Sequence, residues 1–123
     1  ELVSWRKGGD NLMSQPEAIE FMVVSPKLPY RSDIVAVVPI SLTAPRHDLP
    51  FCVKLSKNYH PKEDDDLPCW AKCDMVMNLG LWRLDGFKVG RRKFVNPQAN
   101  AADLLAVKRG VLHGLGQGHL IVE

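Results

Sequence analysis

Apolar residues cluster at strand length along most of this chain. "IEFMVVS", residues 19–25, is apolar and β-branched, and the "SPKLPYRSD" overlapping its end carries Pro and Asp turn chemistry. "IVAVVPIS", residues 34–41, is a continuous apolar run; Pro39 inside it cannot donate to a ladder and predicts an edge position or a bulge near its end. "LTAPRHDLP" reads as a loop and "FCVKLS" as a half-buried strand, followed by the polar "KNYHPKEDDDLP", expected to be solvated and mobile. "WAKCDMVM" predicts a strand with Ala71, Cys73 and Met75 on one side and Lys72, Asp74 and Val76 on the other. Asp85-Gly86 reads as the turn between "GLWRL" and "FKV".

From Asn100 the period lengthens. Leu104, Val107, Val111, Leu112 and Leu115 recur at helical spacing, Asn100 can cap the first turn, Asp103 suits its positive end, and Gly116 can stop it. Short strands followed by one helix give an α+β class: a small curved antiparallel sheet covered on one side. No internal repeat or low-complexity tract is visible.

At 123 residues the chain has the length of one domain, and 46% hydrophobic with 24% charged residues excludes disorder and fibrous classes. The net charge of +2 leaves the choice of partner to the distribution of charge. No run of 18 apolar residues and no secretory layout at the N-terminus point to a cytosolic protein without a membrane segment. The first residue is Glu, so a natural start upstream or a trimmed end is expected. Three cysteines, Cys52, Cys69 and Cys73, fit reduced core thiols; a zinc site with His47 or His60 lacks the paired C-x-x-C spacing.

Charges of both signs interrupt the apolar stretch "CWAKCDMVMNLGLWRLD". On a strand Lys72 and Asp74 share a face, and a following antiparallel strand brings Arg83 near them. Two arrangements fit. One is a surface ion-pair network. The other is an acid–base cluster in which the carboxylate takes a proton while the cations stabilise negative charge on a phosphate, chemistry that suits phosphodiester cleavage without a metal.

The segments "WAKCDMVMNLGLWRLDGFKVGRRK" and "LLAVKRGVLHGLG", with "VVSPKLPYRSDIVAVVPIS" before them, resemble the MazF/PemK (Kid-like) toxins of type II toxin–antitoxin systems. That family carries a basic-Cys-Asp step, then an Arg step ending in Ile/Leu-Asp. The match covers about residues 22–116, within one domain of 1–123 whose first 20 residues are poorly matched. What it implies is a small SH3-like barrel of the CcdB/MazF type with a C-terminal helix, acting as a homodimer on single-stranded RNA, opposed by a cognate antitoxin. Cleavage there needs no metal or other cofactor: the ribose 2′-hydroxyl attacks the neighbouring phosphate.

Carried over by motif, Asp74 is the base and Lys72, in place of an Arg, stabilises the phosphorane or protonates the leaving oxygen, without the planar guanidinium fork. Ser41 falls at the hydroxyl position ending the second strand, with Thr43 as the alternative register. Arg83 is placed on RNA. The family's catalytic Arg has no counterpart in "QPEAIEFMVVSP", where Ile19 and Glu20 stand; Arg6, Lys7 or Arg31 are the candidates to compensate. Loss of that Arg leaves a second possibility, a catalytically degenerate module that binds RNA or protein. A CcdB-like topoisomerase poison fits least, because "HGLGQGHLIVE" lacks that family's Trp-Gly-Ile ending.

Other residues have two readings each. Arg91 and Arg92 in "GRRKF" either contact the RNA backbone or are solvated. Trp5, Trp70, Trp82 and Tyr30 can stack bases, but Trp70 and Trp82 lie in apolar runs that predict core. His47 either assists proton transfer or is a solvated loop residue, and His113 is expected on the polar side of the helix.

Overall fold

The computed structural model describes residues 1–5, 20–25 and 29–121. Strands β1 (Leu2–Trp5), β2 (Glu20–Val23), β3 (Ile34–Ser41), β4 (Cys52–Lys54), β5 (Trp70–Lys72), β6 (Met77–Gly80) and β7 (Leu84–Asp85) form one sheet. The order across it is β4-β5-β3-β2-β1-β7, with β6 also paired to β3, and each pairing is antiparallel. β8 (Phe87–Gly90) and β9 (Lys93–Val95) make a separate ribbon, and α1 runs over Ala101–Gly114. Among the described strands β4 and β7 do not pair, so the sheet is open where the resemblance implies a barrel. The α+β class and C-terminal helix stand as expected.

β3 is the central strand, not an edge, and its Pro39 is accommodated by a gap on one side. Val24 N–H donates to Ala36 O at 2.9 Å and Ala36 N–H to Ser25 Oγ at 2.8 Å, so Ala36 turns its backbone groups toward β2. By alternation the nitrogen of Pro39 points away from β2. On that far side Ile40 faces Ala71 and Val37 faces Met77, three residues apart on β3 but six apart on its partner. The surplus is looped out as a 3-10 turn, Cys73–Met75, opposite the residue that has no N–H to offer. "WAKCDMVM" is therefore two strand pieces around a turn. Beyond Cys73 the expected sidedness reverses: Met75 is 53% exposed, while Val76 packs on the core.

Register places alternate residues on two faces. Leu2, Met22, Val38, Ala71 and Cys73 meet Val107 of α1 on one, and Val3, Phe21, Val35, Val37 and Leu84 cluster on the other. Asn100 caps α1, its side-chain oxygen accepting from Asp103 N at 2.7 Å, and Gly116 ends it at φ +72. Leu115, expected on the apolar stripe, is 58% exposed because it lies beyond the last turn that touches the sheet. Gly110 sits inside α1 at a cost of about 1 kcal/mol in helix propensity, and Gly114 is its last residue. In return the helix comes into van der Waals contact with the Cys73–Met75 turn.

The loop after β4 is exposed over its acidic stretch, residues 62–66, as expected, but departs from expectation just before it. Asn58 and Tyr59 are buried, and the loop is tied to α1 through Asp103, itself only 6% exposed. Ser56 N–H reaches both Asp103 carboxylate oxygens at 3.1 Å, Ser56 Oγ donates to Oδ2 at 2.7 Å and Tyr59 OH to Oδ2 at 2.6 Å. Asp103 serves less as a dipole partner than as an anchor. Asp85-Gly86 does not close a hairpin either: β7 pairs with β1 and β8 with β9, so the turn passes the chain from the sheet to the ribbon.

Candidate active site

The Ser41 end of β3 opens into a concave site of about 550 Å³. Its wall draws on three segments: Pro39 and Ser41 from β3; Pro45, Arg46, His47, Leu49, Phe51 and Cys52 from the following loop and β4; Lys72, Asp74 and Met75 from the end of β5 and the turn. Ser41 faces Trp70 and Cys52 faces Lys72 across the ladder, which sets these side chains on the sheet face opposite α1. Asp74 reaches the same cavity from the looped-out turn. The charges that look misplaced in an apolar run are therefore at the point where the strand stops being one.

Within the site Lys72 is half-buried, with Nζ 3.9 Å from Cys52 Sγ, while Asp74 is exposed and forms no ion pair with Lys72 among the described residues. Ser41 Oγ accepts from Thr43 N at 3.0 Å, which folds the loop back at the end of β3. The Ser41 oxygen still has lone-pair and donor capacity toward the cavity. Arg46 and His47 add a guanidinium and an imidazole to the same lining. A carboxylate sharing a cavity with a lysine, an arginine and an imidazole can accept a proton while the cations stabilise an anionic phosphorus centre. Among the described residues no group of three or more His, Cys, Asp or Glu is placed to hold a metal ion.

Of the residues singled out from sequence, Asp74, Lys72, Ser41 and His47 come together here. Thr43 stands next to them on the exposed loop. Arg83 does not join them. It lies in a 3-10 turn after β6, whose Gly80 faces Ile34 at the opposite end of β3, and at about 3.3 Å per strand residue that is roughly 20 Å from Ser41. The expected cluster of Lys72, Asp74 and Arg83 is thus split, because β6 runs back along β3 from the turn. Arg31 shares the far end: Ile34 N–H donates to Arg31 O at 3.4 Å and Leu81 N–H to Asp33 O at 2.8 Å.

Trp82, expected in the core, is 64% exposed there, with the Arg83 guanidinium 4.1 Å from its ring centroid and fully exposed Tyr30 on the neighbouring turn. Trp70 is half-buried. Arg91 and Arg92 are exposed at the tip of the β8–β9 ribbon and do not line the cavity; His113 is exposed, as expected. Arg6, Lys7 and Ile19 lie outside the described residues, as does the side chain of Trp5.

Glu20 is the clearest departure. It pairs with Ile40 in the row that runs to Ala71 and Val53, so it faces the α1 side of the sheet and not the cavity. Its Oε1 is buried with no hydrogen-bond partner among the described residues, and burial, reinforced by Glu63, pushes its pKa up to about 7. Glu20 therefore stands neither in the place of the family's Arg nor beside a phosphate bound in the cavity. Arg46 is the residue sequence reasoning passed over. The available signal was its place in the short loop leaving Ser41, which must fold over the end of β3.

No family model matches this chain, and no curated protein matches it by sequence. Solved structures do match its fold, two MazF proteins among them. An endoribonuclease in complex with its cognate antitoxin from a mycobacterial species superposes with TM-score 0.59 at 16% identity, over 99% of this chain and 94% of that one. MazF-mt6, a toxin of Mycobacterium tuberculosis, gives 0.54 at 15% over 94% and 97%. MazF of Deinococcus radiodurans gives 0.55 at 20% over 94% and 92%. The chain has the MazF-type fold over nearly its whole length.

Proposed function

We propose that this protein is a toxin-type endoribonuclease that cuts single-stranded RNA without a metal. The observation that carries the proposal is the convergence of Ser41, Arg46, His47, Lys72 and Asp74 on one cavity at the end of β3, on a fold shared with MazF toxins. Asp74 takes the proton of the ribose 2′-hydroxyl, the oxygen attacks the adjacent phosphorus, and Lys72 with Arg46 stabilises the phosphorane. Lys72 or His47 returns a proton to the departing 5′-oxygen, leaving a 2′,3′-cyclic phosphate. Ser41 orients the scissile phosphate by hydrogen bonding.

The same proposal takes residues 1–123 as one domain that works as a homodimer in the cytoplasm, with a cognate antitoxin as protein partner. Arg31, Arg83 and Trp82 at the far end of β3, Thr43 in the loop, and Arg91 and Arg92 on the ribbon hold the RNA outside the cleavage site. No helix among the described residues is long and apolar enough to cross a membrane.

Asp74→Asn and Lys72→Ala test the roles. Both are expected to keep the fold and to lose RNA cleavage. Cleavage at wild-type rate in both variants sinks the assignment. Salt-sensitive RNA binding without any cut product, in the wild type itself, favours the degenerate binding module instead.

A further inference from the structure

Asp74 sits on residues surplus to the strand ladder, so something outside the ladder must hold it in place. Cys73, just before it, donates its N–H to Phe51 O at 2.9 Å and buries its side chain completely beneath α1. Two residues of α1 close on the turn from behind. A methyl group at Gly114 would lie 2.8 Å from Asp74 Cα, 3.0 Å from Asp74 N and 3.1 Å from Cys73 O. One at Gly110 would lie 2.8 Å from both Cys73 Sγ and Val53 Cγ2. Side-chain ends can yield to such a group; the backbone atoms facing Gly114 cannot without moving Asp74 itself.

We propose that Gly114 is a positioning residue for Asp74, a role that depends on the endoribonuclease function proposed above. The bare surface of α1 at Gly114 sets how far the turn projects over the cavity, and therefore where the carboxylate meets the 2′-hydroxyl. Gly110 supports the same contact one helical turn earlier, through Cys73. The helix can serve as a fixed reference because its first turn is fastened to the loop at Ser56 and Tyr59 by the Asp103 carboxylate. Among the described glycines only Gly116 has a positive φ, so alanine at 114 tests space and not backbone strain.

The experiment compares the wild type with Gly114→Ala, Gly110→Ala and, as a control on an exposed helix position, Lys108→Ala. Single-turnover and steady-state cleavage of one single-stranded RNA are read beside binding of the same strand carrying a 2′-deoxy residue at the cut, which cannot react. Gly114→Ala is expected to bind that strand within about twofold of wild type while kcat falls between about tenfold and a hundredfold, the loss a displacement near 1 Å produces. Gly110→Ala should lose less and Lys108→Ala nothing.

A folded Gly114→Ala protein with wild-type kcat overturns the positioning role, as does a loss of binding to the 2′-deoxy strand as large as the loss in kcat. Should Gly114→Ala fail to fold, a folded Gly110→Ala protein cleaving at the wild-type rate overturns it equally. RNA left intact by the wild type overturns the endoribonuclease function and the positioning role together; a cleaving wild type with an indifferent Gly114→Ala overturns the second alone.

Discussion

Tyr59 donates its hydroxyl hydrogen to Asp103 Oδ2 at 2.6 Å, joining the loop after β4 to the first turn of α1 across 44 positions of sequence. Ser56 gives two more donors to the same carboxylate, and Asn100 N–H donates to Tyr59 OH at 3.1 Å. Burial, followed by this bond to Asp103, pushes the Tyr59 hydroxyl pKa up. Asp103→Ala strips the buried Tyr59 hydroxyl and two donors of Ser56 of their acceptor and is expected to cost roughly 2–4 kcal/mol. Chemical denaturation checks this; a loss below about 0.5 kcal/mol, the range of ordinary surface substitutions, is incompatible with an anchoring role.

Glu20 gives stability a pH dependence of defined sign. Its folded pKa, about 7, lies above the ordinary carboxyl value of 4.5, so between those pH values the folded chain holds a proton that the unfolded chain has released. The contribution is present below about pH 4.5 and is lost as pH rises through 7, by at most about 3 kcal/mol. His60 acts oppositely, since its burial lowers its pKa and favours the neutral ring. Comparing Glu20→Gln with wild type isolates the first effect. The stability difference between the two should change across pH 4.5–7 and be flat above; a difference constant over the whole range contradicts it.

The thiols should separate by reactivity. Burial pushes Cys69 up to about 11 and Cys73 up to about 12, so neither forms appreciable thiolate near neutrality. Cys52 is half-buried at the cavity wall beside Lys72. Iodoacetamide at pH 8 is expected to label Cys52 first, by peptide mass, and to slow RNA cleavage as it does so. Primary labelling of Cys69 or Cys73 in the folded protein would contradict the burial described for them.

Much of this arrangement is legible in the sequence, and the losses have physical reasons. Apolar runs and the Asn100 cap mark β2, β3 and α1 to within a few residues, because those signals are local. The break in "WAKCDMVM" is not local: it depends on Pro39, more than thirty positions earlier, facing the partner strand with no donor. Once the strand is broken, Arg83 is carried to the far end of β3 and Met75 turns outward. The acidic loop misleads for a similar reason, since Tyr59 and Asn58 look solvated until Asp103 supplies a buried acceptor for the loop. Asp74, Lys72 and Ser41 were found by motif; Arg46 carries no motif and emerges only from the wall it helps to build.

Trp82 and Arg83 should form a stacking platform for an unpaired base at the end of β3 remote from the cavity. Trp82→Ala is expected to weaken binding of single-stranded RNA by about tenfold, near 1.4 kcal/mol, within the range for one stacked base. Intrinsic fluorescence of Trp82 should be quenched as RNA binds. An unchanged affinity together with unchanged fluorescence removes this end of β3 from the RNA path.

The central claim is metal-independent chemistry at Asp74, and one measurement meets it directly: end-group analysis of a long mixed-sequence single-stranded RNA incubated in EDTA with the purified protein and, in parallel, with Asp74→Asn. Discrete products with 5′-hydroxyl and 2′,3′-cyclic phosphate ends, made by the wild type and absent with the variant, are the predicted result. Intact RNA in the presence of folded wild-type protein, or equal cutting by the variant, would contradict it.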